Sequence, residues 1–398
     1  MAAALDGMRI LDMTQYEAGP SCTQSMAWMG ADVVKIEAPG MGDPGRSLAV
    51  GGDYSPYFCN WNANKRSLAL DLRKPEGRDL LLRMLPSYDI FIETYGPGII
   101  ERFDLEYETL AAVHPGLIYV QLKGFGSSGP YASYKSYDMV AQAAAGAFSV
   151  AGELGGGPLL PGPTTGDSGT GMQAGMAILA AYIQRLRTGK GQHIELSMQE
   201  AMTYFMRTRI AFGANWGEQA CPRLGNLLGG APTGLYPCKG GGPNDFAYVI
   251  VVTDRHWDQL CLAIDRPDMV VDERFETGEK RAMHGAELFE EITPWTLSHE
   301  KYEVMRLLGE ASVPCSAVLD TYDLYRDPHL VERGFIQKVE HPELGEAPLL
   351  GFPTRMSDSA VEITRAPFLG EHRDDVLRED LDLGEDELAS LREAGILG

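Results

Sequence analysis

Met8-Arg-Ile-Leu-Asp-Met13, Ala18-Gly-Pro20, Thr23 to Trp28 and Asp32-Val-Val-Lys-Ile-Glu37 follow one another near the N-terminus, and their order decides the fold class. The first and last are short apolar runs and read as strands. Ala18-Gly-Pro20 reads as a small-residue turn, and Thr23 to Trp28 as a helix. Leu68 to Leu72, Tyr88 to Glu93 and Leu117 to Leu122 are further strand candidates. Pro75 to Leu85 carries apolar residues at helical spacing, with Pro in its first turn. Strands alternating with helices predict an α/β fold with a parallel, doubly wound sheet.

From Gly166 the chain becomes glycine-rich and then helical, with Met172, Met176, Leu179, Ile183 and Leu186 on one face. Gly189 and Gly191 end that helix. Gln192 to Met198 reads as a strand, and Gln199 to about Phe212 as another helix. Asn215 to Asn244 is rich in Gly and Pro and reads as a linker. Beyond it, Ala247 to Thr253 is a strand candidate and His256 to Ile264 a helix, with more helix between Ala286 and Leu308. After about residue 330 come short strands, Pro-rich loops and an acidic helix at Glu385 to Glu393.

The 398 residues carry a net charge of −22, which disfavours a nucleic-acid partner because phosphate backbones need a basic surface. No apolar run approaches the roughly 20 residues of a membrane helix. The N-terminus lacks a basic start followed by an apolar block, so no signal peptide is expected. The six cysteines (22, 59, 221, 238, 261 and 315) form no CxxC pair and no zinc spacing, and read as reduced thiols of a cytoplasmic protein. Any polyanionic ligand would need a locally basic site; Lys65-Arg66, Arg73-Lys74 and Arg185, Arg187 and Lys190 are the basic groupings.

The turn after the first strand, Gln15 to Pro20, holds no G-x-G-x-x-G, and the chain has no Walker loop, G-x-S-x-G or H-E-x-x-H. Thr164-Thr-Gly-Asp-Ser-Gly-Thr-Gly171 remains, opening the long helix. Asp167 there has two readings. It can cap the helix. It can also be a covalent nucleophile, kept ionised by the helix dipole, with glycines that let a large substrate approach the backbone. A weaker cluster is Tyr134-Lys-Ser-Tyr-Asp138, whose side chains could bind a carboxylate or move protons.

Leu5-Asp-Gly-Met-Arg-Ile-Leu-Asp12, Ala18-Gly-Pro20, Met29 to Glu37, Gly42-Asp43, Asn64-Lys-Arg-Ser67 and Leu70-Asp-Leu72 carry a resemblance along the chain. So do Gly96-Pro-Gly98, Lys123-Gly-Phe-Gly126, Ser136-Tyr-Asp138, Gly166-Asp167, Thr188-Gly-Lys-Gly191 and Arg365 to His372. In this order and spacing they resemble the family III CoA-transferases, the CaiB/BaiF family. The resemblance implies an interlocked homodimer. Its large Rossmann-like domain would be built from residues 1–224 and 326–398, and its smaller α/β domain from residues 225–325. It implies a CoA-transferase with no permanently bound cofactor or metal. Acyl-CoA would be the donor and a short-chain or dicarboxylic acid the acceptor, of the formyl-CoA/oxalate or succinyl-CoA type.

The resemblance makes Asp167 the nucleophile, passing through an aspartyl anhydride and an aspartyl-CoA thioester. It places Ala18, Leu70, Arg73, Thr94, Tyr95, Arg102 and Lys135 at CoA, and Glu17, Tyr137 and Asp138 beside the acyl group. The glycine lid over the intermediates would be Gly240, Gly241 and Gly242, with Gly229-Gly230 as the competing run. Oxalate-type members carry Gln at the position of Glu17 and a basic residue at that of Ala38, which puts oxalate in question. The rival activity on this fold is α-methylacyl-CoA racemisation, whose enzymes carry His where this chain has Tyr137. A non-catalytic subunit of a heteromeric transferase is the other alternative, and the presence of Asp167 argues against it.

Overall fold

The computed structural model describes residues 2–48, 55–226, 230, 232–342 and 345–398. Strand β1 (Arg9–Met13) leads to α1 (Ala18–Ala27) and β2 (Asp32–Glu37). Then come α2 (Pro56–Asn62), β3 (Arg66–Ala69), α3 (Pro75–Met84), β4 (Ile90–Glu93), α4 (Tyr107–Val113) and β5 (Ile118–Lys123). After these follow α5 (Asp138–Ala144), α6 (Ala147–Val150), α7 (Thr165–Thr188), β6 (Gln192–Ser197), α8 (Met198–Phe205) and α9 (Arg207–Gly213). The six strands form one parallel sheet in the order β3-β2-β1-β4-β5-β6, the doubly wound arrangement that the alternation predicts.

Each strand feeds two cores, because successive side chains point to opposite faces. Ile10, Val33, Ile90, Ile92, Ile118 and Val120 face α1 and α7, whose Cys22, Met26, Ala174 and Ile178 complete that layer. Leu11, Val34, Phe91 and Tyr119 face the other way, toward Leu80, Leu81, Leu110, Val376, Leu377 and Leu388. Each such aliphatic side chain, fully buried, stabilises the fold by about 1.5–3 kcal/mol.

The chain divides into two compact units. The first runs to residue 148 and adds residues 160–220 and 334–398. The second comprises residues 149–159 and 221–333. It contains β7 (Gly234–Pro237), β8 (Phe246–Val249), α10 (Asp254–Ala263), α11 (Gly278–Met283), α12 (Gly285–Ser298), α13 (Lys301–Glu310), β9 (Cys315–Ala317), α14 (Thr321–Leu324) and α15 (Pro328–Glu332). Its three strands are antiparallel, over a core that includes Trp257, Leu260, Phe275, Leu288 and Val304. The chain returns to the first unit with the hairpin β10 (Ile336–His341) and β11 (Gly345–Leu350), then α16 (Arg373–Leu381) and α17 (Glu385–Glu393). Among the described residues no helix is long and apolar enough to cross a membrane.

Several elements depart from the sequence expectation. Ala18-Gly-Pro20 is the first turn of α1 rather than a separate turn, since Pro is tolerated where a helix needs no N–H. The third strand ends at Ala69: Leu70 N still bonds Glu37 O, but Asp71 N turns to Ile396 O. The helix expected from Gln199 breaks at Met206 into α8 and α9. The expected linker holds β7, paired with β8. On α7, Met172, Met176, Ile183 and Leu186 are exposed, while the small residues Gly171, Ala174 and Ala181 are buried. A Cβ at Gly171 would overlap Ser21 Oγ and Ala18 O, so the two helix backbones approach too closely for any larger residue.

Around the C-terminal halves of β1 and β2 and the start of β3 lies a buried network of charges. Lys65 Nζ contacts Asp12 Oδ2 at 3.0 Å, Asn62 Oδ1 at 2.8 Å and Pro20 O at 3.1 Å. Lys35 Nζ contacts Thr14 O at 2.7 Å and Asp43 Oδ2 at 2.9 Å. Arg46 grips both oxygens of Glu37, at 2.7 and 2.8 Å. Asp12 also accepts from the Thr23 hydroxyl at 2.7 Å, and these partners hold its carboxyl well below the usual carboxylate range despite burial. Lys65→Met leaves the Asp12 charge buried and unpaired, so the expected loss is about 3–5 kcal/mol of unfolding free energy, read from urea denaturation.

Candidate active site

A cavity of about 490 Å3 opens beyond the C-terminal ends of the parallel strands, where β1 and β4 diverge. Gln15, Tyr16 and Ala18 line it after β1, Thr94, Tyr95 and Gly96 after β4, and Lys123 and Gly124 at the end of β5. Tyr134, Lys135 and Tyr137 reach it from the loop before α5, and Asp167 from α7.

The loop after β1 is held in an uncommon conformation. Tyr16 has φ +62°, which non-glycine residues rarely adopt. Its N–H donates to Asp43 Oδ1 at 3.1 Å, and Gly45 N donates to the same oxygen at 2.8 Å. Lys35 fixes Asp43 from the other side. The Tyr16 ring then meets Tyr137 edge to face, with centroids 5.6 Å apart.

Glu17 follows, as the N-cap of α1, but its side chain makes no capping bond. It is 3% exposed, and its Oε1 accepts the hydroxyl of Thr164, the N-cap of α7. The N-termini of α1 and α7 are thus tied through one side-chain pair. Asp138 opens α5 and accepts at both oxygens: from Asp167 N at 3.0 Å and from Gln142 Nε2 at 2.7 Å.

This geometry corrects two expectations about Asp167. It is the third residue of α7, not its cap, because the helix starts at Thr165. The carboxylate that satisfies the exposed end of α7 is Asp138, from another helix. The glycines around it face protein rather than open space. A Cβ at Gly166 would press on the backbone and carboxylate oxygens of Asp138, and one at Gly169 on the Phe205 ring. Nor does the helix dipole alone set the ionisation. Burial, with the charges of Glu17 and Asp138, pushes the Asp167 carboxyl up to about 8. Burial and the Asp138 charge push Glu17 up to about 7, against the Thr164 hydrogen bond. Among the described residues no cation contributes to either shift.

Of the residues expected at CoA, Ala18, Thr94, Tyr95 and Lys135 line the cavity. Leu70 is buried in the core beneath the sheet, bridged to Leu397, and lies outside the cavity lining. Arg73 donates to both Asp71 carboxylate oxygens through Nε and Nη2 and also lies outside the lining, as does the exposed Arg102. Lys65, Arg66 and Arg185, from the basic groupings of the sequence, are engaged with Asp12, Asp32 and Asp89. Ala38 follows β2 and is exposed. Gly240, Gly241 and Gly242 form the β7–β8 hairpin of the second unit, with φ +120° at Gly240 and +72° at Gly241, and Gly242 N bonds Asp245 Oδ2. Gly229 lies outside the described residues; Gly230 has φ +98°.

The sequence reading missed Lys123, Thr164 and Tyr57. Lys123 lines the cavity, with Nζ 2.7 Å from Glu93 and 2.6 Å from Tyr95 O. Tyr57 faces the carboxylates: burial and the charges of Glu17, Asp167 and Asp43 push its phenol far up. Sequence spacing offered no signal for Thr164 or Tyr57, since their partners are 147 residues away (Glu17) in one case and on other elements in the second.

CoA-transferase family III matches this chain over residues 5–373. The formyl-CoA:oxalate CoA-transferase of Rhodopseudomonas palustris (strain BisA53) is 37% identical, covering 100% of this chain and 98% of its own. That of Streptomyces coelicolor is 38% identical over 100% of both chains. A CaiB/BaiF family protein from Brucella suis superposes with a TM-score of 0.84 at 30% identity, over 95% of this chain and 100% of its own. A hypothetical protein from Mycobacterium tuberculosis gives 0.82 at 26% identity, over 94% and 99%.

The raised Asp167 carboxyl has a consequence for stability. The folded chain holds this proton more tightly than the unfolded chain, whose Asp titrates near about 4. The resulting stabilisation is complete below that pH and is lost as pH rises through about 8. Asp167→Asn removes the loss, so its melting temperature, compared with that of the unsubstituted chain, is expected to gain more at pH 8.5 than at pH 5.

Proposed function

The chain belongs to CoA-transferase family III, and we propose that, as a CoA-transferase, it moves CoA reversibly from an acyl-CoA to a free carboxylic acid through covalent intermediates on Asp167. The observation that carries this reading is the Asp167 carboxyl at the wall of a cavity placed at the switch point of the sheet. The names of the relatives support formyl-CoA, oxalate and similar short-chain or dicarboxylic acids as substrate candidates.

In the first step the ionised Asp167 forms a C–O bond to the thioester carbonyl. The C–S bond breaks and its electron pair leaves with sulfur, giving an aspartyl anhydride and CoA thiolate. The thiolate attacks the aspartyl carbonyl, the first acid departs as its carboxylate, and an aspartyl-CoA thioester remains. The acceptor carboxylate then attacks that thioester, and the two steps run in reverse. A carboxylate suits this work because its anhydride conserves the energy of the thioester, whereas a serine ester would be too stable to regenerate it.

The first turn of α1 offers backbone N–H groups at Ala18 and Gly19 that no side chain caps, beside the cavity. They would hold the developing oxyanion. Lys135 would answer the phosphates of CoA. Tyr137 would pack on the acyl group. No resident cofactor or metal takes part.

We also propose that the chain works as a homodimer. The exposed Met172, Met176, Ile183 and Leu186 of α7 support it, since large apolar patches on an enzyme mark association surfaces. Sedimentation is expected to give a dimer, weakened by Met176→Glu; a monomer at micromolar concentration would remove the proposal.

Asp167→Ala is expected to lower acyl exchange by at least about 10³-fold, as loss of a covalent nucleophile does, while CoA still binds. Hydroxylamine added during turnover should convert Asp167 to a hydroxamate, visible by peptide mass. Near-normal turnover in the variant, or labelling of another carboxylate, would refute the mechanism.

A further inference from the structure

The surroundings of Glu17 carry an inference that rests on Asp167 being the carrier of CoA. Three carboxyl groups stand close together at the start of α7: Asp167, which lines the cavity, and behind it Glu17 from the end of the β1 loop, bonded to Thr164, and Asp138 from α5, bonded to Asp167 N. They are not equivalent. Asp138 accepts N–H bonds at both oxygens, so its side chain is committed to α7 and to Gln142. Asp167 becomes a neutral thioester in the form of the enzyme that meets the acceptor. Glu17 is left as the group whose charge can vary. It is buried, receives the hydroxyl bond of Thr164, and stands behind the cavity lining.

We infer that Glu17 is a positioning residue for acceptor choice: when ionised it repels doubly charged acids from the aspartyl-CoA intermediate, and when protonated it admits them. A singly charged acid feels the same repulsion about half as strongly, so the ratio of the two acceptors follows the state of Glu17. The groups around Glu17 sharpen this. Asp138 and Asp167 are acidic, Tyr57 on α2 and Tyr16 beside it are phenols, and Asp43 lies beyond them. Among the described residues no lysine or arginine contributes to the shift at Glu17, so no cation offsets its charge when it forms. Burial places its titration near neutrality, at about 7, where the enzyme could be switched between the two preferences.

The Thr164 hydroxyl enters with a definite sign. It donates to Glu17 and favours the ionised form, against burial and Asp138. Removing that hydroxyl should therefore move the switch to higher pH, not abolish it. A purely structural role for the Glu17–Thr164 tie would instead lower all rates together.

Oxamate and oxalate test the inference, because they match in size and differ by one charge that neither changes between pH 6 and pH 8. Each is measured as an acceptor, or as a competitor of whichever acid the enzyme takes, with acetyl-, formyl- and succinyl-CoA as donors. In the unsubstituted enzyme the preference for oxamate over oxalate is expected to grow by about tenfold or more from pH 6 to pH 8, the size expected for a like charge at partly screened distance. Glu17→Gln should hold the preference flat at its pH 6 value, and Thr164→Val should shift the rise to higher pH. A preference that rises equally in Glu17→Gln, or is flat in the unsubstituted enzyme, overturns the inference while leaving Asp167 labelling intact. Absence of any Asp167 hydroxamate overturns the carrier role, and the inference with it.

Discussion

The contact between Lys65, just before β3, and Asp12, near the end of β1, both side chains fully buried, is the constraint on which the site depends. Lys65 also holds Pro20 O, so it pins the first turn of α1 to β1. Lys35 and Asp43 extend the network to the Tyr16 amide. Desolvating charges of this kind is expensive, and their attraction offsets the cost only when the remaining oxygens and protons also find partners. Here Asn62, Thr14 and Thr23 supply them. The return is geometric: the loop after β1 takes a strained conformation, sets Tyr16 and Ala18 on the cavity wall and turns Glu17 inward to Thr164.

A chain with a net charge of −22 that binds CoA must solve two electrostatic problems in different places. On the cavity wall it sets Lys135, which would face the phosphates in the proposed reading, and Lys123, which is paired with Glu93. Around Asp167 it does the opposite, collecting acids with no compensating cation among the described residues. That corner raises the basicity of the carboxylate, and a more basic carboxylate is a stronger nucleophile once ionised. The cost is that less of it is ionised at neutral pH. Helix N-termini from α1 and α7 point to the same corner and favour the anion in part.

Much of the motif pattern carried architecture rather than chemistry. Lys35, Glu37, Asp43, Lys65 and Ser67 belong to stretches that identify the family, and they bond to one another or to nearby backbone beneath the site. Gly166, Gly169 and Gly171 looked like room for a substrate, but they are the points where α7 presses on α5, α8 and α1. The apolar face of α7 was legible as a stripe; only packing revealed that the opposite, small-residue face is the buried one, because close helix crossings select small side chains. The third strand ended early because β3 gives way to a bridge with the far C-terminus, a contact no local pattern announces.

The sequence by itself determined the parallel alternation of strands and helices, the family, and the candidacy of Asp167, since these follow from local periodicity and ordered motifs. Tertiary structure alone decided what Asp167 experiences. Glu17 and Asp138 stand apart from Asp167 in the chain, and only folding brings their charges, and burial, to bear on that one carboxyl group. Ionisation depends on distance and solvent exposure, neither of which sequence spacing encodes, so the residue was readable but its protonation state was not.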